Sequence, residues 1–164
     1  MTENDSNGYG GKNKTKMGWI KEEYTDRLRA QAANQSETER ERSFEQAEAR
    51  RWQELLQALK SDVDEFNAQG GSATMTQISD KQVSITDRGS DLTLTVRADI
   101  EGHTIHYDYG STASRVASPQ GGIFSIRRSR WGRPELYSAD QRIHIEGARR
   151  ILLEPILFPP DVAA

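Results

Sequence analysis

The amino-acid sequence predicts an α+β fold: an N-terminal amphipathic helix, broken or continuous, packed on an antiparallel β-meander of about five or six strands and followed by a short C-terminal helix. Three observations predict it. Apolar residues between Phe44 and Phe66 recur at helical spacing. Those between Thr74 and Tyr109 recur at every second position. A glycine pair, Gly70-Gly71, separates the two regimes as a helix stop.

The chain has 164 residues, enough for one core, but only 34% are apolar and 29% are charged. That is thin for a globular protein, so the shortfall is expected to be local. Residues 1–16, rich in Gly, Asn, Lys and Thr, read as a disordered tail. Residues 17–158 read as a single domain, with 17–35 able to act as a helical arm, and 159–164 as a C-terminal tail. The net charge of -3 argues against a general polyanion binder. With no cysteine, disulfides, thiol redox chemistry and thiolate-held zinc are excluded, and no cofactor is expected. The opening residues lack the apolar stretch of a secretory signal. The longest apolar run, Ile151 to Phe158, is interrupted by Glu154 and Pro155 and falls well short of the roughly 20 residues that span a bilayer. A cytoplasmic protein without membrane association is expected.

The helical region opens with Trp19, Ile20, Tyr24 and Leu28, a stripe that fades into Ala32 and Ala33. Ser36 followed by Glu39 fits a capping box, in which each side chain satisfies an orphan backbone N–H at a helix start, so a break is expected there. From Phe44 the set Ala47, Trp52, Leu55, Leu56, Leu59, Val63 and Phe66 forms an apolar stripe, and Glu45, Glu48, Glu54, Asp62 and Asp64 are assigned to the solvated faces. One helix from Trp19 to Ala68 would be about 75 Å long, well beyond the roughly 40 Å diameter of such a domain, which favours two segments.

Past the glycines, a turn at Asp80-Lys81 sets Ile78 opposite Val83, and a two-residue turn at Arg88-Gly89 sets Ile85 opposite Leu92 and Val83 opposite Leu94. A turn at Glu101-Gly102 sets Ala98 opposite Ile105, Val96 opposite Tyr107 and Leu94 opposite Tyr109. Leu92, Leu94 and Val96 then share the core face, with Thr93, Thr95 and Arg97 on the solvated one. Residues 110–122 read as a loop, 123–129 and 135–137 as strands, and the last element begins near Glu146, with Ala148, Ile151, Leu152 and Ile156 on one face and Pro155 bending it. The expected core is Trp52, Leu55, Leu59, Val63, Phe66, Val83, Ile85, Leu92, Leu94, Val96, Ile105, Tyr107, Ile151 and Leu152.

Reactive constellations are weak. His103, His106 and Asp108 invite a metal, but residues three apart on a strand face opposite ways, so His103 reads as a turn residue and His106 as a solvated one, with no metal site expected. No serine sits in a G-x-S-x-G elbow, and Gly70-Gly71 lacks the Gly-Lys-Ser/Thr ending of a phosphate loop. No catalytic residue is therefore assigned. The most informative cluster is Arg127, Arg128, Arg130, Trp131 and Arg133, continued by Arg142, Arg149 and Arg150: guanidinium groups beside an indole can bind anions or a partner, or ion-pair with the acidic helix.

Three functional classes follow. The leading one is a non-enzymatic protein-interaction module, adaptor-like or chaperone-like, able to self-associate as a homodimer. The second is nucleic-acid or phosphate binding at the Arg/Trp cluster. The third is a small-ligand or enzymatic site beneath the 110–122 loop.

Overall fold

Two secondary-structure regimes meet where the sequence places them, at the glycine pair. The computed structural model describes residues 18–113 and 117–160; the predicted tail 1–16, the end of the predicted tail 159–164 and the centre of the 110–122 loop lie outside the described residues. Helix α1 (Trp19–Ala68) is followed by strands β1 (Ala73–Ser79), β2 (Gln82–Asp87), β3 (Leu92–Asp99), β4 (Thr104–Ser111), β5 (Gly122–Arg128), β6 (Pro134–Ser138) and β7 (Gln141–Ile143), and then by helix α2 (Ile145–Leu157). Each strand pairs antiparallel with the next in chain order, so the fold is α+β and the sheet is a meander. The sheet has one strand more than expected: β7 is three residues long and too short to show an alternation. No helix among the described residues is long and apolar enough to cross a membrane.

Internal contacts divide the chain into two units, Met1–Glu39 and Arg40–Ala164. In the first, the described residues from 18 to 39 are almost all helical and none is buried. In the second, the core face of the sheet carries Val83, Ile85, Leu92, Leu94, Val96, Ile105, Phe124, Ile126 and Leu136, all buried against Trp52, Leu55, Leu59 and Val63 of α1 and Leu152 and Ile156 of α2. The opposite face carries Ser84, Thr86, Thr93, Thr95 and Arg97, the polar half of the alternation.

Polar contacts at both ends of β1 fix α1 on the sheet. The Trp52 indole donates to the Asp80 carbonyl at 2.7 Å beyond the end of β1, and the Asn67 side-chain amide both donates to and accepts from Ala73 at 2.8 Å, where β1 begins. The helix between these anchors is about 22 Å long and the seven-residue strand about 23 Å, so the two run side by side in opposite directions.

Helix α2 contains Pro155, which leaves the carbonyl of Ile151 without its usual amide donor. The Tyr109 hydroxyl, reaching over from β4, donates to that carbonyl at 3.1 Å and to the Leu152 carbonyl at 2.8 Å. A sheet side chain thus replaces the hydrogen bond that the proline removes. Burial, with Tyr107 alongside, pushes the Tyr109 phenol far above its ordinary pKa, so it remains a donor.

Several expectations need correction. The helix does not break at Ser36. Residues on both sides are good helix formers, and a capping box only offers satisfaction to an end that other forces must create. The β2–β3 connection spans Arg88 to Asp91 rather than two residues, so Ile85 faces Leu94 and Val83 faces Val96. The cause is local: the Asp87 carboxylate accepts the N–H groups of Gly89 and Ser90, and Asp91 takes a left-handed φ of 57°. The shift is two residues, so every side chain keeps its face. In the first hairpin Val83 faces Gln77, because an irregularity between Gln77 and Ser79 leaves Ile78 unpaired and 57% exposed. The β3–β4 pairing is as expected at Ala98–Ile105, Val96–Tyr107 and Leu94–Tyr109. In α2, Leu153 and Leu157 are buried while Ile151 stays at the surface; Phe66 and Tyr107 are partly buried.

Replacing Tyr109→Phe is expected to cost about 1 kcal/mol in urea unfolding, the usual net value of one hydrogen bond. In a Pro155→Ala background the restored amide supplies the Ile151 carbonyl, so the cost should shrink. Additive costs across this double-mutant cycle would show that the two residues act separately.

Candidate interaction surfaces

Strand alternation splits the arginine cluster before any ligand is considered. Arg127, at the end of β5, points to the polar face, where its guanidinium lies 4.4 Å from the centre of the Tyr137 ring and 3.3 Å from Asp140. Arg128, one residue on, lies on the helix side, 4.6 Å over the ring of Phe44. The next five residues form the β5–β6 turn. The Ser129 hydroxyl accepts from the N–H groups of Trp131 and Arg133 at 3.3 and 3.0 Å, the Ser129 amide donates to the Arg133 carbonyl at 2.7 Å, and Gly132 supplies the positive φ of 75° that the turn requires. This scaffold displays Trp131 at 83% exposure, with the Arg130 guanidinium 5.9 Å from its ring. Among the described residues no carboxylate pairs with Arg130 or Arg133.

Arg130, Trp131 and Arg133 therefore share one turn, whereas Arg127 and Arg128 are committed to opposite faces of the sheet. Of the arginines further along, Arg142 pairs with Glu135, Arg149 with Asp62 of α1, and Arg150 with Glu154 of its own helix. Arg127, Arg142, Arg149 and Arg150 are thus each engaged by a carboxylate within the fold, and ion pairing with the acidic helix is seen at Arg149.

The residue that sequence reasoning missed is Glu48. Assigned to a solvated face, it is instead fully buried: Oε1 lies 2.5 Å from Nδ1 of His103, and Oε2 has no hydrogen-bond partner among the described residues. The signal was present in the spacing, because Phe44, Glu48, Trp52 and Leu56 lie four residues apart on one ridge of α1. His103 reaches the helix from the β3–β4 turn, where its φ of 53° is left-handed, and its ring lies 5.6 Å from that of Phe44. Burial drives the pKa of Glu48 upward. The hydrogen bond and charge of His103 oppose this, Glu45 adds to it, and Arg128 opposes it weakly. His106 is occupied elsewhere, with its Nε2 3.0 Å from the Thr104 hydroxyl. No group of three or more His, Asp or Glu among the described residues is placed to hold a metal ion.

At the 110–122 loop, Gly121 and Gly122 lie so close to Tyr107 and Asp108 of β4 that neither has room for a Cβ. This end of the loop is seated on the strand. A different surface is more open: along α1, Trp19, Ile20, Tyr24 and Leu28 are exposed by 76, 58, 68 and 62%. Comparison with protein-family models, curated proteins and solved structures finds no match, so function must be read from these residues alone.

The Glu48 carboxyl provides a check on the electrostatics. With its folded pKa raised, the folded state retains a proton that the unfolded chain has already released, so stability is greatest below the usual glutamate range and falls as pH rises through the raised value. Glu48→Gln is expected to flatten this decline, seen as urea midpoints from about pH 4 upward. Parallel profiles for the two proteins would mean that Glu48 carries no such linkage.

Proposed function

We propose that this protein is a non-enzymatic, self-associating interaction module, adaptor-like in character, whose contact surface is the Trp19, Ile20, Tyr24, Leu28 stripe and whose first partner is a second copy. The observation that carries this reading is the exposure of that stripe on a helix in which no residue from 18 to 43 is buried. Helices in proteins owe most of their stability to packing of one face, and contiguous exposed apolar residues of this size mark contact sites. Ile20, Tyr24 and Leu28 form an i+4 row without a heptad, which favours a short crossing contact of two helices over a coiled coil.

Magnitudes favour a reversible contact. Burying each such side chain contributes about 1.5–3 kcal/mol, whereas association costs about 4–15 kcal/mol in lost freedom, so binding should depend on concentration. The lack of cysteine fits a reducing cytoplasm, where this reading locates the protein.

Light scattering after size exclusion is expected to show mass rising with concentration, together with helical circular dichroism. Tyr24→Ser with Leu28→Ser should hold the chain monomeric and lower its helicity. A wild-type chain that stays monomeric across that range with undiminished helicity would overturn the reading.

A second reading rests on Trp131 and the Arg130 and Arg133 guanidinium groups beside it, unpaired among the described residues, which suit a single-stranded nucleic acid bound by stacking and charge. Trp131→Ala should then weaken binding of a labelled oligonucleotide by about 1–3 kcal/mol. Removing Arg130 and Arg133 should reduce the salt dependence. Binding indifferent to salt would exclude this reading.

A further inference from the structure

Within the second unit, the C-terminal part of α1 and the whole of α2 enclose a groove of about 810 Å³. Its floor is apolar: Phe66 and Phe158 meet edge to face at 5.7 Å, with Leu153 and Leu157 beside them. The Phe66 ring lies against Gly71, where a Cβ would collide with it, so the residue after the left-handed Gly70 that ends α1 also seats the floor of the groove. Phe158 remains 68% exposed despite this stacking.

The charges around the rim are unbalanced. Arg149 is held 3.4 Å from Asp62 and Arg150 3.0 Å from Glu154, which neutralises both cations of the lining. Two carboxylates remain without an ion-pair partner among the described residues, Glu65 on the α1 wall and Glu146 on the α2 wall. The unpaired charge facing the groove is therefore negative on both sides.

We propose that this groove docks a basic amphipathic helix from a partner protein. The volume lies within the range of about 300–1,000 Å³ typical of binding clefts and suits a few apolar anchors. The two unpaired carboxylates belong to different helices, Glu65 to α1 and Glu146 to α2, which suits a rod lying between them. Apolar anchors at i, i+3 or i+4 and i+7 fill the floor, and flanking Lys or Arg side chains meet Glu65 and Glu146. The groove shares no residue with the α1 stripe, so this proposal stands or falls independently of self-association.

The test uses the full chain carrying Tyr24→Ser and Leu28→Ser, so that self-association does not compete. Two labelled synthetic peptides of equal length are titrated by fluorescence anisotropy: one helix with leucines on one face and lysines on the other, and its counterpart with glutamates in place of lysines. The lysine peptide should bind and the glutamate peptide should not. Glu65→Gln with Glu146→Gln should weaken the lysine peptide about tenfold, and Phe158→Ser, at an exposed position, should weaken it as well. Glu22→Gln with Glu23→Gln changes net charge equally and should leave affinity unaltered. Equal binding of both peptides, or equal loss in the two charge variants, would overturn the proposal by showing non-specific adhesion. Binding that appears only after removal of residues 161–164 would overturn it by assigning the groove to the chain's own end.

Discussion

A seven-stranded meander has two faces, and in this chain only one of them is apolar; every other feature of the second unit follows from how that face is kept from water. The ridge from Trp52 to Val63 on α1 covers part of it, and Ala148, Leu152 and Ile156 on α2 cover more. Apolar burial has no direction of its own, so the register of helix on sheet must come from polar contacts. The Trp52 indole and the Asn67 amide supply it by fixing α1 at the two ends of β1. The same logic operates at α2. Pro155 would leave an orphan carbonyl against the sheet, and the hydroxyl of Tyr109 both satisfies that group and ties the helix to β4.

Glu48 shows the opposite case, a polar group in the apolar interface that is only half satisfied. Its second oxygen has no partner among the described residues, a feature that costs stability wherever the carboxyl is ionised. His103 reaches the first oxygen from a left-handed position at the hairpin tip, and Arg128 lies over the adjoining Phe44 ring. Here the neighbours are an aromatic ring and a guanidinium stacked on it, an arrangement that holds the α1 ridge in place on the β3–β4 turn.

Much of this architecture was legible in the sequence. The period of two in β2 to β4 put Val83, Ile85, Leu92, Leu94, Val96 and Ile105 on the core face and Thr93, Thr95 and Arg97 opposite, because a register error of two residues leaves the faces unchanged. What could not be read depended on local competition that periodicity does not see. Asp87 folding back on Gly89 and Ser90 lengthened one hairpin loop, and an irregularity at Ile78 displaced one register. Ser36 and Glu39 had the residue types of a helix start in the middle of a helix. Glu48 was misplaced because residue type was weighed above position: its spacing from Phe44 and Trp52 put it on the ridge. The arginine cluster is visible as composition, but strand alternation sends Arg127 and Arg128 to opposite faces.

Pairing within the second unit leaves charge standing at two exposed apolar surfaces. Within the second unit, arginines that could have formed a broad anion site are consumed one by one by Asp140, Glu135, Asp62 and Glu154. Among the described residues, Arg130 and Arg133, without ion-pair partners, stand beside Trp131, and Glu65 and Glu146, likewise unpaired, line the groove with Phe66 and Phe158. An apolar centre with a charged margin is the composition of a protein contact, in which burial supplies affinity and the charges choose the partner. The two margins carry opposite signs, Arg130 and Arg133 at one and Glu65 and Glu146 at the other, and they share no residue, so charge distinguishes the two surfaces as clearly as position does.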